Sequence, residues 1–264
     1  MFENLSFDMV IRLYAFSIVL GALVLWELLA PRRLNILRKL RWPSNFGIFL
    51  INSMLLVLVP ASALGASLLS LEYKFGLLIW FKVSLWPSII LTLLILDMAI
   101  YWQHRLFHRF DSLWRIHRMH HTDTEFDVTT ALRFHPIEIL LSILIKAAVI
   151  ILLGAPILAV IGFEIILNSS AMFNHSNVRM PRWLDKYLRY LVVTPDMHRV
   201  HHSVYKNEHD FNYGFCLSWW DRLFGSYVAQ PKDGHCGMTI GLEIFNQKED
   251  ARLDKLLTQP FRPQ

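Results

Sequence analysis

Residues 104–121 read HRLFHRFDSLWRIHRMHH and contain five histidines, at His104, His108, His117, His120 and His121. A second histidine-rich stretch, TPDMHRVHH at residues 194–202, contains His198, His201 and His202. Residues three or four apart lie on one face of a helix, so each short motif is predicted to direct its imidazoles toward a metal ion. A structural zinc site needs only four ligands, and these eight histidines therefore predict two metal ions side by side.

The residue type limits the metal without selecting one, because imidazole binds zinc, copper, iron and nickel. A single HxxxH pair is weak support for a metal site, since histidines at that spacing are more often ordinary surface or core residues. Three such motifs in a chain of 264 residues with 12 histidines, all next to apolar segments, favour a metal centre. The alternative is a histidine-rich segment that binds metal adventitiously.

The composition is that of an integral membrane protein. Hydrophobic residues make up 54% of the chain, charged residues 18%, and the mean hydropathy is +0.37, whereas soluble domains are about a quarter charged. The excess of Lys+Arg (26) over Asp+Glu (21) is therefore interpreted as a topology signal, and no nucleic-acid partner is expected. Cys216 and Cys236 have no zinc or redox spacing and imply no disulfide framework.

The apolar segments predict an all-α membrane bundle of three spans and a helical hairpin. The spans are expected at residues 9–30, 46–71 and 83–102, with residues 72–82 lying in the membrane interface. The loop after the first span contains no acid and five basic residues, at Arg32, Arg33, Arg38, Lys39 and Arg41. The positive-inside rule assigns that loop to the cytoplasm, so the third span delivers His104 to the cytoplasmic face. The N-terminus, which lacks the features of a secretory signal, is expected to be retained and to lie outside.

The hairpin is predicted from length. Residues 137–173 form an apolar stretch of 37 residues, too long for one crossing, with Gly154-Ala155-Pro156 at its middle. Two antiparallel helices with both ends cytoplasmic bring His175 and the second histidine-rich stretch to the side of the first. Lys146 and Glu164 each lie nine residues from Ala155, and we expect them to pair because unpaired intramembrane charges are costly.

Acidic residues near the histidines are candidates to orient them. Metal-bound histidines usually donate their second N–H to a carboxylate or carbonyl, and Asp97 or Asp111 is predicted to accept it. Asp97 lies two helical turns before His104; the alternative is a helix-packing acid bonded to Tyr101 or to a neighbouring span. Residues 109–112 are a predicted helix break, with Asp111 or Ser112 capping the second histidine helix.

Polar residues further along the chain extend this prediction. Asn212, Tyr213 and Asp221 are expected to hold the histidine helices in place. Thr194 and Pro195 predict a helix start just before His198. Residues 122–136 are predicted to form a loop along the membrane surface, and His135, which precedes Pro136, is a candidate substrate-side or supporting residue outside the ligand set. Whether His209 contributes is left open.

The motifs HRLFH, HRMHH, RFHPIE, TPDMHRVHH, NYG and WWDRLFGSY together resemble the fatty acid hydroxylase / sterol desaturase superfamily over about residues 90–230. The resemblance implies a non-haem di-iron centre that activates dioxygen on lipid C–H bonds. It also implies a separate electron donor, such as a ferredoxin, a cytochrome b5 or a reductase. The ligands it implies are His104, His108, His117, His120, His121, His175, His198, His201 and His202. Some members carry a further histidine where this chain has Ala171, which leaves the ligand number of one ion open.

The predicted function is hydroxylation or desaturation of a sterol, fatty acyl or other long-chain lipid taken from the bilayer, and the sequence does not choose between the two reactions. Zinc in place of iron is possible by mismetallation. Two other classes remain open, a zinc-dependent membrane hydrolase and a non-enzymatic membrane protein that binds or transports metal. The chain is treated as one domain, with residues 83–230 as core and 231–264 as a polar tail, in a bacterial inner membrane or the endoplasmic reticulum.

Overall fold

The computed structural model describes residues 2–58 and 62–263, and its secondary structure there is helical apart from isolated bridges. In chain order the α-helices are α1 (Phe2–Leu29), α2 (Arg38–Leu58), α3 (Ala63–Glu72), α4 (Leu77–Trp80), α5 (Leu85–Arg109), α6 (Asp111–His121), α7 (Pro136–Leu153), α8 (Ile157–Asn174), α9 (Arg182–Leu188), α10 (Pro195–His201), α11 (Lys206–His209), α12 (Trp219–Leu223), α13 (Gly234–Gly237) and α14 (Leu253–Thr258). The predicted all-α fold is confirmed.

Helical segments within the described residues are long and apolar enough to cross a membrane at five places: Val10–Leu29, Ala63–Trp80, Leu85–Arg109, Pro136–Leu153 and Ile157–Asn174. Each is at least 18 residues long, which is close to the length that a hydrocarbon core of about 30 Å requires. The chain is a multi-pass integral membrane protein.

The predicted second span, residues 46–71, is wrong as a single helix. Helix α2 ends at Leu58, and α3 begins at Ala63 with the Ser62 hydroxyl accepting a hydrogen bond from Gly65 N at 2.9 Å. Residues 59–61, which belong to that predicted span, lie outside the described residues. The sequence holds both signals for a break, since a proline at position 60 cannot donate a helical hydrogen bond and a serine is a favoured N-cap. The segment predicted to lie in the interface contains α4 and extends the candidate span Ala63–Trp80.

Helices α7 and α8 form the predicted hairpin. Gly154 ends α7 with φ +67, in the left-handed region that favours glycine, and its N–H donates to Ile150 O at 3.0 Å. A Cβ at this position would lie 3.0 Å from Phe75 O, so the turn also packs closely against the α3–α4 connection. The predicted intramembrane pair is confirmed, with Lys146 Nζ 2.6 Å from Glu164 Oε1. Arg12 from α1 lies on the same carboxylate, at 3.5 Å from Oε2.

Removing Lys146 is expected to destabilise the detergent-solubilised protein by about 1–3 kcal/mol, because it leaves a buried carboxylate with only the more distant Arg12. Glu164→Ala should cost more, since both Lys146 and Arg12 lose their contact with this carboxylate. The double variant Lys146→Ala, Glu164→Ala should recover part of the loss in an unfolding titration. Additive losses in the double variant would mean that the two side chains do not interact, and the exposed Lys82→Ala provides the control.

Two apolar clusters pack the long helices against one another. One lies between α3, α5, α7 and α8 and includes Leu96, Ile150 and Phe163. The other lies between α1, α8 and a turn of 3-10 helix at Val128–Leu132. Phe215, in the segment after α11, packs against both.

The prediction of a surface loop at residues 122–136 is wrong. Its central part, Val128–Leu132, is a buried 3-10 turn. Glu27 of α1 accepts the Val128 N–H at 2.8 Å, and Arg41 of α2 lies against Asp123 and Asp127. The segment was predicted to lie at the surface because it is polar. Its charged and hydroxyl side chains instead form hydrogen bonds with one another in the interior.

The C-terminal segment, polar by sequence, packs on the back of α6. Arg118 donates to the carbonyls of Gln259 and Arg262, both at 2.8 Å. Leu256 of α14 is fully buried beside Ile48 and Met119. This segment therefore covers the face of α6 that points away from the core.

Candidate metal centre

Two consecutive helices carry the first five histidines. Helix α5 ends at Arg109, and Phe110 adopts an extended conformation (φ −105, ψ 123) before α6 begins at Asp111. The predicted break is therefore confirmed. The predicted cap is wrong, because Phe110 occupies the N-cap without a side-chain bond, while Asp111 and Ser112 are exposed.

The remaining histidines come from the ends of α8 and α10. His175 is the residue at which α8 ends. Thr194 caps α10 as predicted, with its hydroxyl accepting from Met197 N at 3.3 Å, and Pro195 is the first helical residue. His198 and His201 then lie within α10, and His202 follows it.

The structure brings all nine histidines together in two groups, each able to hold a metal ion. One group contains five residues, His104, His108, His117, His121 and His201; the other contains four, His120, His175, His198 and His202. In each group the nitrogens that face the centre lie within 4.8 Å of one another. The groups adjoin, since the rings of His121 and His202 are stacked with centroids 4.6 Å apart. We call them the five-histidine group and the four-histidine group.

This division corrects the expectation that each short motif serves one ion. His117 and His121 belong to the five-histidine group, whereas His120 belongs to the other. A helix turns by about 100° per residue, so residues four apart differ by about 40°, but adjacent residues point in different directions. In α10, likewise, His198 and His202 share a group and His201 joins the other.

The five-histidine group has the hydrogen bonding of a ligand set. His104, His117 and His201 donate their Nδ1 protons to Tyr213 O (2.8 Å), Glu138 Oε1 (2.8 Å) and Phe211 O (2.7 Å). His108 Nδ1 lies 3.2 Å from Asp210 Oδ1. In a neutral imidazole whose Nδ1 carries the proton, the lone pair is on Nε2. The Nε2 atoms of these four histidines are buried without a hydrogen-bond partner in the described residues. Buried unpartnered nitrogens that converge are suited to a metal ion.

The four-histidine group converges more tightly. His175 donates its Nδ1 proton to Ala171 O at 2.7 Å, so its Nε2 carries a lone pair. The Nε2 atoms of His120 and His198 each lie 3.0 Å from that nitrogen. Ligand nitrogens bound at about 2.1 Å to one ion are separated by roughly 3–4 Å, so the spacing fits a shared ion.

The electrostatics favour neutral imidazoles. Burial lowers the pKa of His175 to about 4. Burial, together with neighbouring imidazoles, holds the pKa values of His120, His198 and His202 well below 6.5. The same causes lower the pKa values of His121 and His201. At neutral pH these rings are unprotonated, the form that binds a metal.

The sequence profile of the fatty acid hydroxylase family matches residues 89–226, just over half of the chain, and this stretch includes all nine histidines. The chain belongs to the fatty acid hydroxylase family.

Curated relatives agree with this assignment. The ornithine lipid hydroxylase OlsE of Rhizobium tropici is 34% identical over 56% of this chain and 44% of its own length. The alkylglycerol monooxygenases of Xenopus tropicalis and Homo sapiens are 30% and 27% identical, over 59% and 66% of the chain and 34% and 37% of their own lengths. The chain thus spans less than half the length of these relatives. No solved structure matches it significantly.

In this family member, two carboxylates that orient histidines were missed by the sequence prediction. Glu138 accepts from His117, and Asp210 lies beside His108. Each had a sequence signal: Glu138 is an acid at the start of an otherwise apolar helix, and Asp210 lies between a histidine and the NYG motif. Carboxylates in contact with the outer nitrogen of a metal-bound histidine raise its basicity and fix its orientation.

Asp97 and Asp221 each accept hydrogen bonds from the segment that follows α11. Asp97 accepts from the backbone of Cys216 and Leu217 (3.1 and 3.0 Å) and from Trp220 Nε1 (2.8 Å), which joins α5 to the loop after α11. It bonds neither a histidine nor Tyr101 nor a neighbouring span; it is a helix-packing acid, as the alternative expected, but with other partners. Asp221 accepts from Tyr213 N at 2.8 Å, and Tyr213 O accepts from His104. Burial raises the pKa of Asp221 to about 6.

Asn212 acts in the same way as Asp221. Its side-chain amide donates to Met197 O (3.0 Å) and Val228 O (2.8 Å), and it adopts a left-handed conformation with φ +55. These bonds fix the neighbouring Phe211 carbonyl, which accepts from His201. The predicted positioning by Asn212 and Asp221 therefore runs through backbone carbonyls.

Three other predicted or candidate residues belong to neither group. Asp111 is exposed, and its side chain makes no hydrogen bond within the described part of the chain. His135 caps α7 by accepting from Ile137 N, and its Nε2 lies 3.1 Å from Leu257 O, so it supports the helix and the C-terminal segment instead of the histidines. His209 stacks on Trp114 with ring centroids 5.6 Å apart and belongs to neither group.

Glu138→Gln is expected to lower metal affinity at the five-histidine group by roughly 10–100-fold, because the amide keeps the shape but withdraws the negative charge from His117. The measurement is competition of the purified protein against a chelator of known affinity. Glu125→Gln is the matched control, since Glu125 bonds the backbone of Ile36 and Leu37 and the Arg41 guanidinium but no histidine. Equal affinities in the two variants would remove Glu138 from this role.

Proposed function

We propose that this protein is a non-haem di-iron oxidoreductase that uses dioxygen to hydroxylate or desaturate a C–H bond of a long-chain membrane lipid. One observation carries the proposal: nine buried histidines form two adjoining groups where an apolar helical bundle ends. Hydroxylation consumes dioxygen, electrons and protons, and returns an alcohol and water. Two iron ions would supply the oxidising chemistry when bound.

The nine histidines are the proposed ligands. The five-histidine group favours iron over zinc, because structural zinc is almost always held by four ligands and catalytic zinc by three. The chain's own contribution is orientation: backbone carbonyls hold His104, His175 and His201 with Nε2 toward the centre. This prearrangement keeps the histidines ready before any metal arrives.

A lipid is the proposed substrate because apolar rings reach the histidines directly. Phe215 contacts His104 and His198, one from each group, with ring centroids 5.5 and 6.3 Å apart, and it also packs on both apolar clusters. Phe126 and Phe134 line the four-histidine group, at 5.0 Å from His202 and 4.4 Å from His120. These rings exclude water and present an apolar surface to a hydrocarbon chain. The relatives named for an ornithine lipid and for alkylglycerol act on lipids of two kinds, which supports a lipid for this chain.

We propose that the site opens on the cytoplasmic face and receives electrons from a separate donor of the ferredoxin, cytochrome b5 or reductase type. The basic loop after α1 supports this orientation, since it packs on the histidine side: Arg32 N donates to Asn177 O at 2.7 Å, and Arg33 donates to Met238 O at 2.8 Å.

Metal analysis of protein made in iron-replete cells tests the proposal. We expect about two irons per chain and oxygen-dependent conversion of a lipid. Zinc at one per chain, together with activity that does not need oxygen, would support a membrane hydrolase instead. A binding or transport protein would hold metal without consuming oxygen. Lipid profiling of a deletion strain then identifies the accumulated substrate.

A further inference from the structure

A tyrosine lies against the five-histidine group. The ring of Tyr213 contacts those of His108, His104 and His201, with centroids 5.2, 5.6 and 5.7 Å apart. Tyrosine and tryptophan are the side chains that lose an electron most readily, apart from those containing sulfur. Tyr213 is buried, so an electron that crosses its ring to the histidines must come from within the protein.

Two further oxidisable rings connect Tyr213 with the surface. Tyr101 is fully buried and lies 6.2 Å from Tyr213, and Trp102 lies 5.6 Å from Tyr101, both in edge-to-face contact. Trp102 is 38% exposed. The three rings therefore form a continuous chain of redox-active groups from the histidines to the outside.

Hydrogen bonds provide Tyr101 with a route for its proton. Its hydroxyl lies 2.7 Å from Ser226 Oγ, which donates to Asp221 Oδ1 at 2.7 Å. Arg105 donates to the same hydroxyl at 3.1 Å, and its guanidinium lies 5.3 Å from the Trp102 ring centroid. This positive charge disfavours a radical cation on either ring, so each must release a proton as it loses its electron.

We propose that Tyr213, Tyr101 and Trp102 carry stray oxidising equivalents from the metal centre to the protein surface. The proposal rests on the proposed function, because such an equivalent would arise if bound iron reduced dioxygen with no substrate C–H bond in reach. Without an exit it would oxidise the histidines. The rings protect the site and take no part in productive turnover.

The electrons and protons balance as follows. Tyr101 gives one electron to the oxidised centre across the ring of Tyr213, which keeps its phenolic proton on the hydrogen bond to Asp210 O (2.6 Å) and is not itself oxidised. Tyr101 passes its phenolic proton through Ser226 to Asp221 and becomes a neutral radical. Trp102 then reduces Tyr101, which takes the proton back from Asp221, while the indole N–H proton of Trp102 leaves to solvent. A soluble one-electron reductant, such as ascorbate or a thiol, restores Trp102.

The test compares wild type, Tyr101→Phe and Trp102→Phe as iron-loaded full-length protein. Each is supplied with a chemical reductant and oxygen in the absence of lipid. Tyr101→Phe keeps the ring that stacks on Phe224 and removes only the hydroxyl. Trp86→Phe is the matched control, because Trp86 lies on the same helix, is 71% exposed and is not part of the chain. The readouts are radicals trapped by freeze-quench EPR, oxidised histidine in peptide mass spectra and the time to inactivation.

We expect wild type and Trp86→Phe to show a tyrosyl or tryptophanyl radical and to keep their histidines longest. Tyr101→Phe and Trp102→Phe should inactivate several-fold faster without lipid and accumulate oxidised histidine, while their initial rates with lipid match wild type. Equal inactivation in all four proteins would overturn the proposal. Faster inactivation of Trp114→Phe, together with a wild-type lifetime of Tyr101→Phe, would also overturn it. Trp114 contacts His108 directly, so that result would place the electron path through Trp114 instead. A wild type that holds no iron and consumes no oxygen would instead reject the proposed function.

Discussion

Replacing His120 or His201 by alanine is expected to abolish lipid oxidation while leaving membrane insertion intact. His120 belongs to the four-histidine group and His201 to the five-histidine group, so each variant disables one proposed ion. The loss should exceed the roughly 10–100-fold effect of removing a residue that only orients a ligand. Insertion depends on the apolar helices, which neither substitution touches.

The two variants should differ in metal content. His120→Ala leaves three imidazoles and should lose its ion, whereas His201→Ala leaves four and should retain some metal in a changed geometry. Metal per chain and product formation are measured on protein purified from membranes. His235→Ala is the control, because His235 is buried beside Asp196 and outside both groups. Full activity in either ligand variant would contradict the proposed centre.

The second large effect is expected from Arg41→Met. Arg41 is 1% exposed, and it binds Asp123 through Nε and a terminal nitrogen (2.5 and 2.6 Å) and Asp127 through the other (2.7 Å). Methionine fills similar space but leaves two buried carboxylates without that partner. Breaking a buried ion pair from one side costs about 3–5 kcal/mol, which is a large part of the stability of a folded domain.

Chemical unfolding of the solubilised protein measures this loss. Lys39→Met is the matched control, because Lys39 lies on the same helix, is exposed, and should change stability by less than about 0.5 kcal/mol. Similar stabilities of Arg41→Met and Lys39→Met would show that the buried network contributes little. Arg133 donates to Met119 O at 2.8 Å and lies 3.6 Å from Asp123, so the disturbance should also reach the end of α6.

The same network makes the folded state sensitive to acid. Burial by itself raises the pKa of Asp123, but Arg41 and Arg133 lower it below the ordinary value of 3.8. A carboxyl with a depressed folded pKa contributes its full stabilisation above the unfolded value. That contribution is lost as the pH falls below 3.8 towards the folded pKa.

The sequence by itself determined the membrane fold and the family. Apolar length predicted the hairpin at residues 137–173, and equal distance from Ala155 predicted the pair of Lys146 and Glu164. These features are local, since they follow from helix rise and from the cost of an unpaired charge in lipid. Eight of the nine histidines were predicted from the motifs, and His175 from its place after the hairpin and from the family resemblance; their role as ligands stays a proposal.

Only the tertiary structure decided how the histidines divide. Spacing predicted that each motif faces one ion, but His120 and His201 each turn away from their neighbours and join the other group. That outcome depends on how α5, α6, α8 and α10 cross. The hydrogen-bond partners of the histidines could not be assigned from the sequence for the same reason. Glu138 accepts from His117, 21 residues away in the chain, and the Tyr213 carbonyl accepts from His104, 109 residues away. Contacts at such separation are set by packing: a lone acid such as Glu138 can be recognised in the sequence, but its partner follows only from the fold.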